Sequence, residues 1–170
     1  MPNWCSNSVY ITHVDREKLD RLIVAFRAGR MMQEFLPCPS KLYDGEGWYS
    51  WCIDHWGTKW DVGGDGDWAD WLDQEQQRLA LKFDSAWAPP IGFYDYLVNH
   101  EGFDVRAFYY EPGMQFAGLW HNGSDEHYEE WGDSGSAAQM LPECIDQEFD
   151  IVNSQAMWED DTDFAHDHHL

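Results

Sequence analysis

Asn3, Cys5, Asn7 and His13 occupy odd positions of the opening segment, so they share one side of an extended chain. A cysteine and a histidine on one strand suggest a nucleophile and its base. The stretch from Cys5 to His13 spans more than about 20 Å at the usual strand rise, so the two cannot meet. The asparagines instead read as side chains closing turns and strand ends. A second candidate is Trp56-Gly57-Thr58-Lys59-Trp60, where Lys59 offers an anion contact between indoles. Its structural reading has Gly57 ending a helix and the tryptophans entering the core. Trp87-Ala88-Pro89-Pro90 reads as a rigid strand exit. His121, Asp125, Glu126, His127, Glu129 and Glu130 gather within ten residues, and His166, His168 and His169 close the chain. Neither group has the spacing of H-E-x-x-H or of a calcium loop. No phosphate-binding glycine loop or nucleophile elbow is present, and no carboxylate pair stands out as an acid–base dyad. The expectation is a protein without catalytic residues, metal or cofactor. A small-molecule enzyme with a pocket near Asn7, Lys59 and Glu111 remains the alternative.

Charge is the strongest signal. The chain of 170 residues carries a net charge of −22, and its last basic residue is Arg106. Residues 1–106 contribute −7, and residues 107–170, with 15 acids and no Lys or Arg, contribute −15. Such a field repels nucleic-acid phosphates and attracts basic surfaces. The four cysteines, Cys5, Cys38, Cys52 and Cys144, form no C-x-x-C pair, so they read as reduced thiols rather than zinc ligands. No secretory signal opens the sequence and no apolar run is long enough for a membrane span. A bacterial cytoplasmic location is expected.

These groups need elements to position them. Residues 5–14 alternate as a strand. Asp15 stands as an N-cap before Leu19, Leu22, Ile23 and Phe26, one face of a helix that Gly29 stops. Pro37 and Pro39 make 35–41 an extended segment outside any central strand. Trp48, Trp51, Cys52 and Trp56 repeat at helical spacing, and Asp67 precedes a second short stripe of Trp68, Trp71 and Leu72, read as a helix. Residues 79–87 alternate as a strand, Ile91 to His100 form a helix, and two strands meet at the Glu111-Pro112-Gly113 turn. Asn122-Gly123 marks another turn. Ile145, Phe149 and Val152 predict a short amphipathic helix docking onto the core, with fraying from Trp158 onward.

The order predicts an α+β fold. A ferredoxin-like antiparallel sheet would carry helices packed on one face, with a Trp-rich helical insertion and an acidic C-terminal extension. The domain runs over 1–133 with the insertion at about 43–78, and the partly helical extension covers 134–170.

Met1-Pro2-Asn3-Trp4-Cys5-Ser6-Asn7, Trp56-Gly57-Thr58-Lys59-Trp60-Asp61, Ala86-Trp87-Ala88-Pro89-Pro90 and Tyr110 to Gly118 occur together and in order. The combination resembles the YubB-type, or Api-like, ferredoxin-like family of bacterial plasmids and phages, over roughly Met1 to Trp120. The resemblance implies a fold and a mobile-element setting, but no activity. Its motif residues here are Asn3, Trp4, Asn7, Trp56, Gly57, Thr58, Lys59, Trp60, Trp87, Pro89, Pro90, Glu111 and Gly113.

The expected function is that of an inhibitor of a host nucleic-acid-binding defence factor, of restriction or CRISPR type. Its negative surface would imitate DNA, with aromatic side chains supplying contacts. The expected contact residues are Asp125, Glu126, Glu129, Glu130, Trp131, Asp133, Glu143, Asp146, Glu148 and Asp150, with Tyr128, Phe149 and Trp158 among the aromatics. A non-catalytic or self-associating protein whose acidity serves solubility is the competing expectation.

Overall fold

Strand β1 (Trp4–Thr12) forms where alternation places Val9 and Ile11 on one side, both fully buried. In the computed structural model, which describes residues 2–43 and 45–167, this strand is central and antiparallel to both neighbours. Helix α1 (Arg16–Arg27) follows, its Asp15 side chain accepting the Glu17 amide, and it buries Leu19, Leu22, Ile23 and Phe26. Short helices α2 (Met31–Phe35) and α3 (Ser40–Tyr43) flank the proline-bearing segment, so the extended stretch is shorter than expected. Helix α4 (Gly47–Trp56) carries the tryptophan repeat and ends at Gly57 in the left-handed region.

The stripe of Trp68, Trp71 and Leu72 is a correction: these residues lie in strand β2 (Trp68–Asp73), not a helix. Ala69 and Trp71 face inward opposite Leu81 and Leu79 of β3 (Arg78–Ala86). Asp67 accepts the Gly63 amide instead of capping a helix. Six residues containing Trp-x-x-Trp-Leu fit both periods, and ladder pairing with β3 decides between them. The Arg16 guanidinium lies 3.7 Å from the centre of the Trp71 ring and covers this edge strand.

Helix α5 (Ile91–Tyr96) continues into a π-helical turn at Leu97–Glu101, and β4 (Asp104–Glu111) pairs with β1. Strand β5 (Phe116–His121) returns from the predicted hairpin. A two-residue turn, with Asn122 at φ +46° and Gly123 at +99°, then leads to β6 (Ser124–Glu129). Sequence periodicity did not reveal β6, because charged residues fill an edge strand with no buried side chain. The six-stranded antiparallel sheet has the order β2-β3-β1-β4-β5-β6.

Helices were expected on one face, and the sheet is covered on both. Val9, Ile11, Leu81, Val105 and Trp120 meet α1, α2, α4 and α5 in the larger core. On the opposite side Phe108 and Ala117 pack with Trp131, Ala137, Leu141, Ile145 and Ile151. The last five belong to α6 (Ser134–Met140), α7 (Glu143–Phe149), α8 (Ile151–Asp167) and the segments before and between them. The predicted docking of Ile145 is present, but two helices separated by Asp150 at φ +53° replace the single one. Helix α8 runs through Trp158 to Asp167, where fraying was expected. His168 and His169, and the side chain of His166, lie outside the described residues. No helix among the described residues is long and apolar enough to cross a membrane.

Candidate functional site

The four sequence motifs converge at one end of the sheet. The Trp87 amide donates to the Asn3 carbonyl beside the Trp4–Ala86 pair, and the Thr58 hydroxyl donates to the Ala86 carbonyl at 2.8 Å. The Trp56 indole donates to the Leu36 carbonyl, and Pro89 and Pro90 are buried. Glu111, buried, accepts the Gly113 and Met114 amides at 2.6 and 2.8 Å and closes the β4–β5 turn beside the Asn3 side chain. The Asn7 amide donates to the Cys5 carbonyl and the Ser85 hydroxyl, each at 2.8 Å. Asn7, Thr58 and Glu111 therefore spend their polar groups on the sheet end itself. Replacing Glu111 with alanine orphans two amides and is expected to cost about 2 kcal/mol in urea denaturation, whereas Glu111→Gln retains an acceptor and costs less.

What this end shows to solvent is aromatic. Trp4, Trp60 and Trp87 are 46, 40 and 49 % exposed. The Lys59 ammonium lies 4.5 Å from the Trp60 ring centre and 5.7 Å from that of Tyr49. Trp87 holds φ at +69°, an uncommon conformation for a bulky residue. The thiols beneath are unreactive in character: burial pushes Cys52 up to about 11 and Cys5 higher still. His13 bonds the Glu101 carbonyl at the far end of β1, away from Cys5.

The acidic residues divide into two sets. Some are used internally. Asp125 accepts the Tyr109 hydroxyl at 2.8 Å, and the same hydroxyl bonds His127 Nδ1 at 2.9 Å. Burial, then Asp125, raise the Tyr109 phenol, so it stays protonated as a donor. Asp133 caps α6 through the Ser136 amide, and Asp146 accepts the Val152 amide. Glu148 accepts the Ser8 and Tyr10 hydroxyls at 2.8 and 2.6 Å and ties α7 to β1. Asp150 accepts from Asn153 and Glu143 from Gln147, but both carboxylates remain exposed on the surface. The other set, Glu126, Glu129 and Glu130 with Asp160 and Asp161, is exposed, Glu129 lying 3.3 Å from His127.

Trp131 requires a correction. It was expected as a contact aromatic, but it is 4 % exposed, with its indole donating to Gln155. Tyr128 and Phe149 also pack against the second core, and among these aromatics Trp158 stands out, at 66 % exposure. Alternation along β5 and β6 puts His121 and His127 on opposite faces of the sheet. Among the described residues no group of three His, Cys, Asp or Glu side chains is placed to hold a metal ion.

Helices α6 and α8 are joined through Glu159, which accepts the Ser134 amide and hydroxyl. The hydroxyl contact lowers Glu159 below its usual 4.5, and the Ser136 amide lowers Asp133 below 3.8. Depressed folded values mean that the stabilisation is complete above those ordinary values. It is lost as pH falls through the lowered ones. The Ser134 amide resonance is expected to titrate below 4.5 and the Ser136 resonance below 3.8. The Ser134 shift should be absent from Glu159→Gln.

No family model matches the chain, and no match is found among curated proteins. A likeness is found to the crystal structure of protein api92 from Yersinia pseudotuberculosis, a DUF1281 protein. The TM-score is 0.37 at 21 % identity, covering 49 % of this chain and 30 % of that one. The chain thus matches under a third of that protein's length.

Proposed function

We propose that this chain is an acidic binding protein that occupies a basic protein surface of the kind that holds nucleic acid. A phage- or plasmid-encoded inhibitor of a host restriction or CRISPR factor, working in the bacterial cytoplasm, fits that role. The motif combination from Asn3 to Gly118 supports membership of the Api-like family. The β2-β3-β1-β4 order with α1 and α5 as crossovers supports a ferredoxin-like core. The observation that carries the functional reading is that the base-free segment is folded throughout its described residues, as β5, the acidic edge strand β6 and the helical layer α6 to α8 packed on the sheet. Glu126, Glu129 and Glu130 stand on or beside β6, and Glu143, Asp160 and Asp161 on α7 and α8. Carboxylates on packed elements need no backbone ordering on binding, which favours their use as a recognition surface.

The test is capture of bacterial proteins at low and high salt, followed by competition with a DNA oligonucleotide for the captured protein. Retention that falls with salt, yields to DNA and weakens in the Glu126, Glu129, Glu130 and Glu143→Gln variant is expected. Retention indifferent to salt and to these changes overturns the proposal. The exposed rings of Trp4, Trp60 and Trp87 favour a second reading, self-association without catalysis. Sedimentation separates the two, because a dimer held by these rings persists at high salt and is lost in Trp60→Ala.

A further inference from the structure

A cleft of about 580 Å³ lies between the β4–β5 turn and α8, bounded by Tyr110, Pro112, Gln115, Ser154 and Trp158. Its volume falls in the range of small-molecule pockets and admits an entering side chain with room to spare. Trp158, on α8, lines the cleft and is mostly exposed, and Tyr110 is a half-buried second ring packed against Trp131 and Phe149. The hydroxyls of Tyr110 and Ser154 have no hydrogen-bond partner among the described residues. Neither is sealed from solvent, since the buried side-chain polar atom left unpaired in this set is Gln77 Oε1. All of the lining comes from the segment without a single Lys or Arg, and Asp161 follows one turn after Trp158 on the same helical side.

We infer that this cleft receives an arginine side chain of the basic partner. The inference rests on the reading of this chain as a binder of basic surfaces and names the group that is gripped. A guanidinium is planar, stacks on an indole face and carries several N–H donors for hydroxyl oxygens. No carboxylate lines the cleft itself; Asp161 beside Trp158 and the net charge of −15 on a segment without Lys or Arg supply a field that attracts cations and disfavours anionic ligands. A lysine ammonium is more strongly hydrated and cannot stack, so it fits these walls less well.

The probe is a short peptide, acetyl-Gly-Arg-Gly-amide, titrated into the full chain while Trp158 is followed by NMR. Its citrulline and lysine counterparts serve as comparisons. The expected result is a saturable shift of the Trp158 indole with the arginine peptide, and binding weakened about ten-fold with citrulline, which keeps the shape and loses the charge. Trp158→Ala, at an exposed position, should weaken binding by a similar factor, and Tyr110→Phe by a smaller one while leaving its ring packed. Equal binding of arginine and citrulline peptides, or binding unaffected by Trp158→Ala, overturns the inference. Loss of the cleft interaction with partner capture intact refutes the cleft alone. A working cleft with no salt-sensitive capture refutes the broader function.

Discussion

Trp131→Ala lowers global stability by about 3–5 kcal/mol, the range expected for emptying a large buried aromatic site. The side chain is 4 % exposed in the second core, packs against Tyr110 and bonds Gln155 of α8. It therefore connects the end of β6 to the helices that carry Glu143, Asp160 and Asp161. Its loss frees the Gln155 carbonyl oxygen as well as the space of an indole. Urea denaturation of the variant should show the drop, and limited proteolysis should cut first within residues 134–167. If Trp131 were a surface contact, stability would be unchanged and only partner binding would fall.

Gly118→Ala comes second, at about 3 kcal/mol, the upper part of the overpacking range. A Cβ at Gly118 would lie 2.2 Å from the Tyr109 hydroxyl, 2.4 Å from its Cζ and 2.5 Å from the Glu126 carbonyl oxygen. Neither neighbour can retreat easily. Tyr109 is 1 % exposed and held by Asp125 and His127, while the carbonyl belongs to the β6 backbone. The glycine is what lets the tyrosine cross β5 to reach β6. Thermal unfolding measures the cost, and amide exchange of β6 should rise more than that of β1. A neutral Gly118→Ala would show that the Tyr109 crossing is not maintained in solution.

Much of the framework was legible in local patterns. Alternation around Val9 and Ile11, the Asp15 cap and the four-residue rhythm from Leu19 to Phe26 are each decided by neighbours within two turns. The helix ending at Gly57 and the hairpin around Pro112-Gly113 follow for the same reason. Strand β2 was misread because Trp68, Trp71 and Leu72 satisfy two periods, and pairing with Leu79 and Leu81 lies outside that window. Strand β6 was missed because an edge strand buries little and its charges carry no apolar rhythm.

The sequence by itself determined the segregation of charge, with every Lys and Arg before residue 107 and an unbroken acidic remainder. It also determined which residues are helix caps, turn formers and alternating core positions. Tertiary structure alone decided what each acid does. Glu148 becomes an internal acceptor because Ser8 and Tyr10, some 140 residues away, face it, while Glu126 and Glu130 meet no such donors and stay in water. The same packing buries Trp131, exposes Trp158 and opens the cleft beside it. Secondary structure answers to short-range sterics and hydrogen bonds, but burial and polar pairing depend on which distant surfaces meet.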